Sequence, residues 1–288
     1  IKSLLKLIGR PIDIIWSFDL NNLYPFKYFP ASALKVFHPV DEPLNKPSIE
    51  AAKGAAVIFS VTKEILQKYA ALQLPGYLVN HGLPDIFLKQ EQYRKDGTEP
   101  LRVGYSGNMM RPDIDRPILL QIIKENPEII FECWGSYNNK QTNIGGSDTK
   151  STSEFIAALA ASPNVILHGA VNSTVLAKDI QRMDGFLICY DIEKDQSKGT
   201  NYHKVMEYLS TGKVIISNNI SAYQGSPELV CMIAQRDNNG ALPMLFKKVT
   251  GNLMEMNNIA AMETRKLFAA GNTYKKQIET IEALLDRN

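Results

Sequence analysis

The sequence lacks the features of a membrane-spanning or disulfide-stabilised protein. None of its 288 residues lies in an apolar run of about 18 or more, the length that a membrane-spanning helix needs. No signal-peptide pattern is present at its start. Its three cysteines, Cys133, Cys189 and Cys231, each lie in or beside an apolar run and have neither metal-ligand nor disulfide spacing. We therefore expect buried free thiols in a cytoplasmic protein.

Several common functional signatures are also missing. There is no Gly-x-Gly-x-x-Gly after a strand, no Walker motif, no Gly-x-Ser-x-Gly turn and no cluster of metal ligands. The net charge of +2 is too small to indicate a nucleic-acid partner. We therefore predict no cofactor, no metal and no nucleic acid. With 44% hydrophobic and 22% charged residues, the chain is an ordinary globular one, long enough for two domains.

Apolar runs alternate with helical patterns along the chain, which indicates parallel α/β architecture. The predicted domains are residues 1–88 and 101–270, joined by a polar linker at 89–100, with a helix at 271–288 that crosses back to the first domain. Strands are predicted at 13–18, 36–38, 55–60, 77–80, 101–105, 129–134, 165–168, 186–190, 214–217 and 229–233. Helices are predicted between them, notably at 48–53, 62–72, 153–161 and 174–182, and residues 242–285 are predicted to be helical throughout.

The strongest functional pattern is the stretch GTNYHKVMEYLSTGKVIIS, residues 199–217. It predicts a loop, a short helix capped by Thr200 or Asn201, a glycine stop and a buried strand. Thr200, Lys204 and Glu207 fall on one stripe, which holds a cation and a carboxylate beside a helix N-terminus, where anions are favoured. A lysine that binds the charged diphosphate and a glutamate that binds the ribose hydroxyls would suit a sugar-nucleotide ligand. Alternatively, Lys204 and Glu207 simply pair on a solvated helix face.

The same stretch resembles the segment Lys-x-x-Glu-Tyr-Leu-Ala-x-Gly-Lys-Pro-Val-Val of the retaining GT-B glycosyltransferases, a large family that includes bacterial capsule, teichuronic-acid and exopolysaccharide enzymes. Four more segments match the family in order: VNHGLP at 79–84, VGYSGN at 103–108, LHG at 167–169 and MDGFLICY at 183–190. Two positions depart from the pattern. Val214 replaces the usual proline, and Gly199 stands where many members have a second glutamate that contacts the donor sugar.

The resemblance implies a GT-B fold, two Rossmann-like parallel-sheet domains with a cleft between them, and metal-independent transfer from a nucleotide-diphospho-sugar with retention. It also implies that Glu207 holds the donor ribose and that Lys204 lies near the donor phosphates. The first domain is short for this family and has no glycine-rich loop. Since the chain also begins at Ile1 rather than methionine, we expect that its N-terminal-most strands are missing.

Further candidate donor-binding residues follow the strands of the second domain. Gly107 and Asn108 form a βα turn in which backbone N–H groups can approach a diphosphate, and Arg111 can add charge-assisted hydrogen bonds. An ordinary turn with a surface arginine is the alternative. Tyr190 precedes a loop in which the family places donor-sugar contacts, with Asn201 a candidate there. In the first domain, His38 is the candidate catalytic residue, near the donor sugar; a packed histidine is the alternative.

The expected substrates are a nucleotide-sugar donor and a saccharide or lipid-linked acceptor, in the synthesis of cell-surface polysaccharide. Residues 1–10 predict a short basic amphipathic helix, which allows peripheral contact with the inner face of a membrane but equally fits a plain surface helix. Two other functions stay open. One is a sugar-nucleotide epimerase or hydrolase, and the other is a non-catalytic GT-B-like binding protein, which Gly199 favours.

Overall fold

A computed structural model describes residues 7, 9–91, 93, 95, 99–138, 149–195 and 198–286. The chain divides into two compact units, one formed by residues 1–80 and 279–288 and the other by residues 81–278. Most of the amphipathic helix predicted at 1–10 lies outside the described residues, as do parts of the predicted linker. Within the described residues, no helix is both long and apolar enough to cross a membrane.

The first unit is built on a parallel sheet of four strands in the order β1-β2-β3-β4. These strands are Ile14–Ser17, Leu34–Phe37, Val57–Ser60 and Gly76–Leu78. Helices α1, Lys46–Glu50, and α2, Lys63–Lys68, follow β2 and β3. The side chains of Asn45 and Thr62 accept hydrogen bonds from the first turns of these helices, so each helix begins at a polar cap.

Two apolar clusters cover the faces of this sheet. One lies under the helices and includes Phe26, Phe37 and Ile65. The other combines alternate strand residues, such as Val36 and Phe59, with residues of the C-terminal helix. Because successive strand residues point to opposite faces and both faces are covered, β3 is buried along its whole length, and its first three residues are apolar.

The second unit contains a parallel sheet of six strands in the order β10-β9-β8-β5-β6-β7. Strands β5 to β7 are Arg102–Ser106, Ile130–Trp134 and Val165–Gly169. Strands β8 to β10 are Gly185–Ile188, Val214–Ser217 and Cys231–Met232. A single large apolar core surrounds this sheet. The predicted strands are present in both units, with ends that differ by up to two residues from the predicted bounds.

Helices connect these strands and complete the second unit. They are α3 to α9: Arg116–Glu125, Lys150–Ala161, Ser173–Asp179, Lys204–Ser210, Leu242–Thr250, Leu253–Met256 and Ile259–Gly271. The last helix, α10, is Tyr274–Leu285, and its final residues belong to the first unit. The prediction that residues 242–285 are helical throughout is wrong, because separate helices occupy this range. Breaks occur at 251–252, 257–258 and 272–273, where glycine and asparagine favour helix ends.

Candidate functional site

The site residues of the second unit gather where the strand order reverses. From β5 the chain adds β6 and β7 on one side and β8, β9 and β10 on the other, so β5 and β8 flank the topological switch point. In open α/β sheets, ligands bind at the carboxyl ends of the strands beside such a point. The Gly107–Asn108 turn follows β5, and Tyr190 follows β8, so both predicted elements lie at this location.

The turn after β5 has a backbone that only glycine adopts comfortably. Gly107 has φ of +146°, and a Cβ placed on it would lie 2.7 Å from the Lys204 Nζ. Gly135, after β6, has φ of +132°, and its Cβ would lie 1.8 Å from the Gly107 carbonyl oxygen. The Gly107 N–H donates to the Trp134 carbonyl at 2.8 Å. Two glycines therefore bring two strand-end turns together and keep the space beside Lys204 open.

Lys204 is buried at the switch point, with only 6% of its surface exposed. Its Nζ donates hydrogen bonds to the Ser106 carbonyl, at the end of β5, and to the Tyr190 hydroxyl, after β8. Both partners are neutral, and no carboxylate forms an ion pair with Lys204 in the described part of the chain. Burial accordingly lowers the pKa of the ammonium group. The alternative of a solvated surface pair with Glu207 is wrong.

Glu207 lies one turn further along α6 and is half-buried. Burial raises the pKa of its carboxyl to about 6, and the charge of Lys204 opposes this increase. Among the described residues, none donates a hydrogen bond to this carboxylate. A partly desolvated carboxylate without donors is a ready acceptor for hydroxyl groups, as the ribose role requires.

Arg111 is held by a neighbour that the sequence reasoning missed. Its Nε donates to both carboxylate oxygens of Asp113 at 2.9 Å, and an Nη also contacts this carboxylate. Asp113 is only 2% exposed, and its hydrogen bonds raise the pKa of the arginine. Arg111 is therefore not a plain surface arginine. Its charge is shared with Asp113, and the outer part of its half-exposed guanidinium is the portion available to a ligand.

Asn108 and Tyr190 present polar atoms at the same turns. The Asn108 side-chain oxygen accepts from the Met110 N–H at 2.9 Å, while its buried amide nitrogen has no partner among the described residues. Such a donor calls for an acceptor oxygen, and a phosphate would supply one. The Tyr190 backbone is held by Asn218 and Asn239, and burial raises the pKa of its hydroxyl. Tyr190 therefore stays protonated beside Lys204.

The loop before α6 differs from the prediction in two ways. The helix begins at Lys204, preceded by His203, and neither Thr200 nor Asn201 caps it, so the predicted cap is wrong. Thr200 therefore does not share a helical stripe with Lys204 and Glu207. Thr200 and Asn201 instead lie buried in the preceding turn, 1% and 6% exposed.

Gly199 has φ of +64°, and its Cβ would meet the Asn219 carbonyl oxygen at 3.0 Å. A glutamate would be strained here. The buried carboxylate of Asp195 organises this loop instead. It accepts from the Gly199 N–H at 2.9 Å and from the Tyr202 hydroxyl at 2.6 Å. A buried aspartate four residues before the family's glutamate position is a feature that the sequence motif did not reveal.

His38 belongs to the first unit, where it follows β2 and is 8% exposed. Its ring stacks on Trp16, with centroids 5.8 Å apart, and on Phe18, with centroids 5.1 Å apart. Trp16 and Phe18 are both partly exposed, 38% and 54%. His38 is thus a packed histidine within an aromatic cluster, and its catalytic role stays a prediction.

No protein-family model and no curated protein matches this sequence. Solved structures do match its fold. HepE of Anabaena in complex with UDP and glucose aligns over 98% of this chain and 80% of its own, with a TM-score of 0.69 and 11% identity. The lipopolysaccharide outer core galactosyltransferase WaaB, in its apo form, aligns over 100% and 79%, with a TM-score of 0.68 and 14% identity. Sucrose-phosphate synthase of Thermosynechococcus elongatus aligns over 99% and 75%, with a TM-score of 0.73 and 10% identity.

These similarities confirm the predicted GT-B fold class, with two parallel sheets of which the first is smaller. At 10 to 14% identity, the likeness concerns the fold. In the described part of the chain, no group of three or more histidine, cysteine, aspartate or glutamate side chains is arranged to hold a metal ion.

Proposed function

We propose that this protein is a glycosyltransferase that moves a sugar from a nucleotide-diphospho-sugar to a saccharide or lipid-linked acceptor, with retention, in the synthesis of cell-surface polysaccharide. One observation carries the proposal. Lys204 is buried without a carboxylate partner, and on the same helix Glu207 is half-buried without a hydrogen-bond donor. Diphosphate oxygens complement the lysine, and ribose hydroxyls complement the carboxylate. The fold shared with a UDP-bound structure, HepE, supports the same ligand class.

In this proposal, Lys204, the Asn108 amide and the outer part of Arg111 bind the diphosphate, and Glu207 binds the ribose. The bond between the sugar's anomeric carbon and the diphosphate oxygen breaks, and a bond from that carbon to the acceptor oxygen forms on the same face. The acceptor proton passes to an oxygen of the leaving diphosphate. Lys204 lowers the barrier because it stabilises the negative charge that develops on the leaving group. His38 is proposed to contact the donor sugar.

A thermal-shift panel tests the donor site directly. The compounds are UDP, GDP, ADP and CMP with their common sugar conjugates, since a ligand that binds only the folded state raises the melting temperature. We expect one base to give a clear shift, and we expect Glu207→Ala to remove that shift while the protein remains folded. Glu263→Ala, which changes an exposed carboxylate on α9, is the matched control. An unchanged shift in Glu207→Ala would refute the site assignment.

One observation favours a second candidate, a binding protein without transferase activity. The φ of +64° at Gly199 and the 3.0 Å contact of an added Cβ with the Asn219 carbonyl oxygen would strain the glutamate that many family members use to contact the donor sugar. Turnover separates the two candidates. Release of nucleoside diphosphate in the presence of a saccharide or lipid-linked acceptor supports the transferase, whereas donor binding without any product supports the binding protein. His38→Gln is expected to reduce turnover and to leave the affinity for the nucleoside diphosphate, which lacks the sugar, unchanged.

A further inference from the structure

Two histidines lie against each other next to Lys204, and the proposed chemistry uses neither. His203 immediately precedes Lys204 in the chain, and His81 is the first residue of the second unit. Their ring centroids are 6.3 Å apart with an interplanar angle of 77°, which is an edge-to-face contact. The His203 residue retains an exposed surface, and its imidazole has no hydrogen-bond partner among the described residues.

The charges that face His203 are cationic. Desolvation and then the charges of Lys204, His81 and Arg111 lower the pKa of His203 to about 4. Desolvation also lowers the pKa of His81 to about 4. The site also contains the carboxylates of Asp113, which is paired with Arg111, and of Glu207, one turn further along α6. The charges of Lys204 and Arg111 that act on His203 are positive, so a bound anion would offset them.

We propose that His203, backed by the edge of the His81 ring, is an additional contact to the diphosphate of the donor and that it takes up a proton when the diphosphate binds. The inference rests on the proposed function, because it assigns a further residue to the same donor site. The position of His203 supports this inference. His203 adjoins Lys204, lies within electrostatic reach of Arg111 and keeps part of its surface exposed.

The size of the expected effect follows from simple electrostatics. The free imidazole is neutral at pH 7, since its pKa lies near 4. A unit negative charge about 4 Å away, at an effective dielectric constant of about 20, raises a pKa by about three. Two charges on the diphosphate therefore bring the pKa of bound His203 to about 7 or above, and binding at pH 7 should consume about half a proton or more.

Isothermal titration calorimetry with UDP, GDP and ADP at pH 7, each in two buffers of different ionisation enthalpy, measures this uptake directly. The dependence of the binding heat on buffer enthalpy gives the number of protons taken up. We expect uptake by the wild-type protein and a loss of at least half of it in His203→Gln, which keeps a polar side chain but cannot be protonated. His168→Gln is the matched control, because His168 pairs with Glu132 on β6 rather than facing this group.

The outcomes separate the two hypotheses. Uptake that falls in His203→Gln and persists in His168→Gln supports the inference. Binding without uptake, or with equal uptake in His203→Gln, overturns the role of His203 and leaves the donor site in place. If none of the three nucleotides binds the wild-type protein, the proposed function fails and the inference fails with it.

Discussion

Replacing Gly107 by alanine should weaken donor binding as well as lower the stability of the protein. The added Cβ would lie 2.7 Å from the Lys204 Nζ and 3.2 Å from the Tyr190 hydroxyl, and real Cβ contacts essentially never fall below 3.0 Å. The end of a lysine side chain can move away at small energetic cost. The ammonium group would then leave the position that it holds between Ser106 and Tyr190.

The stability cost comes from the backbone rather than from this contact. Alanine at φ of +146° is strained, and such strain costs about 1–3 kcal/mol. For a unit of this size, that corresponds to a fall of about 2–12 °C in melting temperature. Displacement of Lys204 removes one charge-assisted hydrogen bond to the ligand, worth about 1.5–3 kcal/mol, or a loss of about 10- to 150-fold in nucleotide affinity.

Gly225→Ala is the matched control, because Gly225 has φ of +88° and nothing lies within 4 Å of its added Cβ. Differential scanning fluorimetry and calorimetric titration of UDP, or of whichever nucleotide the panel selects, should be run on both variants. We expect similar falls in melting temperature but a loss of affinity only in Gly107→Ala. Equal affinities in the two variants would refute the placement of the ligand beside Lys204.

Three further predictions follow from the charges of the site. Lys204→Met should lower nucleotide affinity by about 10- to 150-fold, yet it should raise the free energy of unfolding by about 1–3 kcal/mol in urea denaturation, because it removes a buried charge that lacks an ionic partner. A less stable variant would contradict this. The pKa of the Glu207 carboxyl lies near 6, and only its charged form accepts hydrogen bonds well from hydroxyl groups. The nucleotide affinity of the wild-type protein relative to that of Glu207→Gln should therefore fall about tenfold as the pH is lowered from 7 to 5. Binding titrations at both pH values test this, and a constant ratio would argue against it. Arg111→Met should lower the free energy of unfolding by about 3–5 kcal/mol, more than Asp113→Asn does, because it leaves the 2%-exposed aspartate without its cation. Denaturation of the two single variants and of the double variant tests this, and simple addition of the two losses would contradict it.

The sequence alone determined the order of elements and the fold class. Apolar runs between helical patterns predicted the strands of both sheets, because burial on both faces of a parallel sheet leaves a continuous apolar signature. The stretch around Lys204 and Glu207 pointed to a sugar nucleotide, because a motif of adjacent residues survives in the linear sequence. Helix ends were less predictable. The breaks near residues 251, 257 and 272 depend on local polar residues that compete with a helical pattern of similar strength.

Only the tertiary structure decided which residues meet and in what electrostatic state. The pairing of Arg111 with Asp113 makes this candidate residue the half-exposed partner of a buried aspartate. The edge-to-face contact of His81 with His203 joins positions more than a hundred residues apart, and no spacing rule indicates it. The burial of Lys204 likewise depends on the strand order, which brings the ends of β5 and β8 side by side. Desolvation and charge proximity are properties of three-dimensional neighbours, so the sequence could name the groups but not their pKa values or partners.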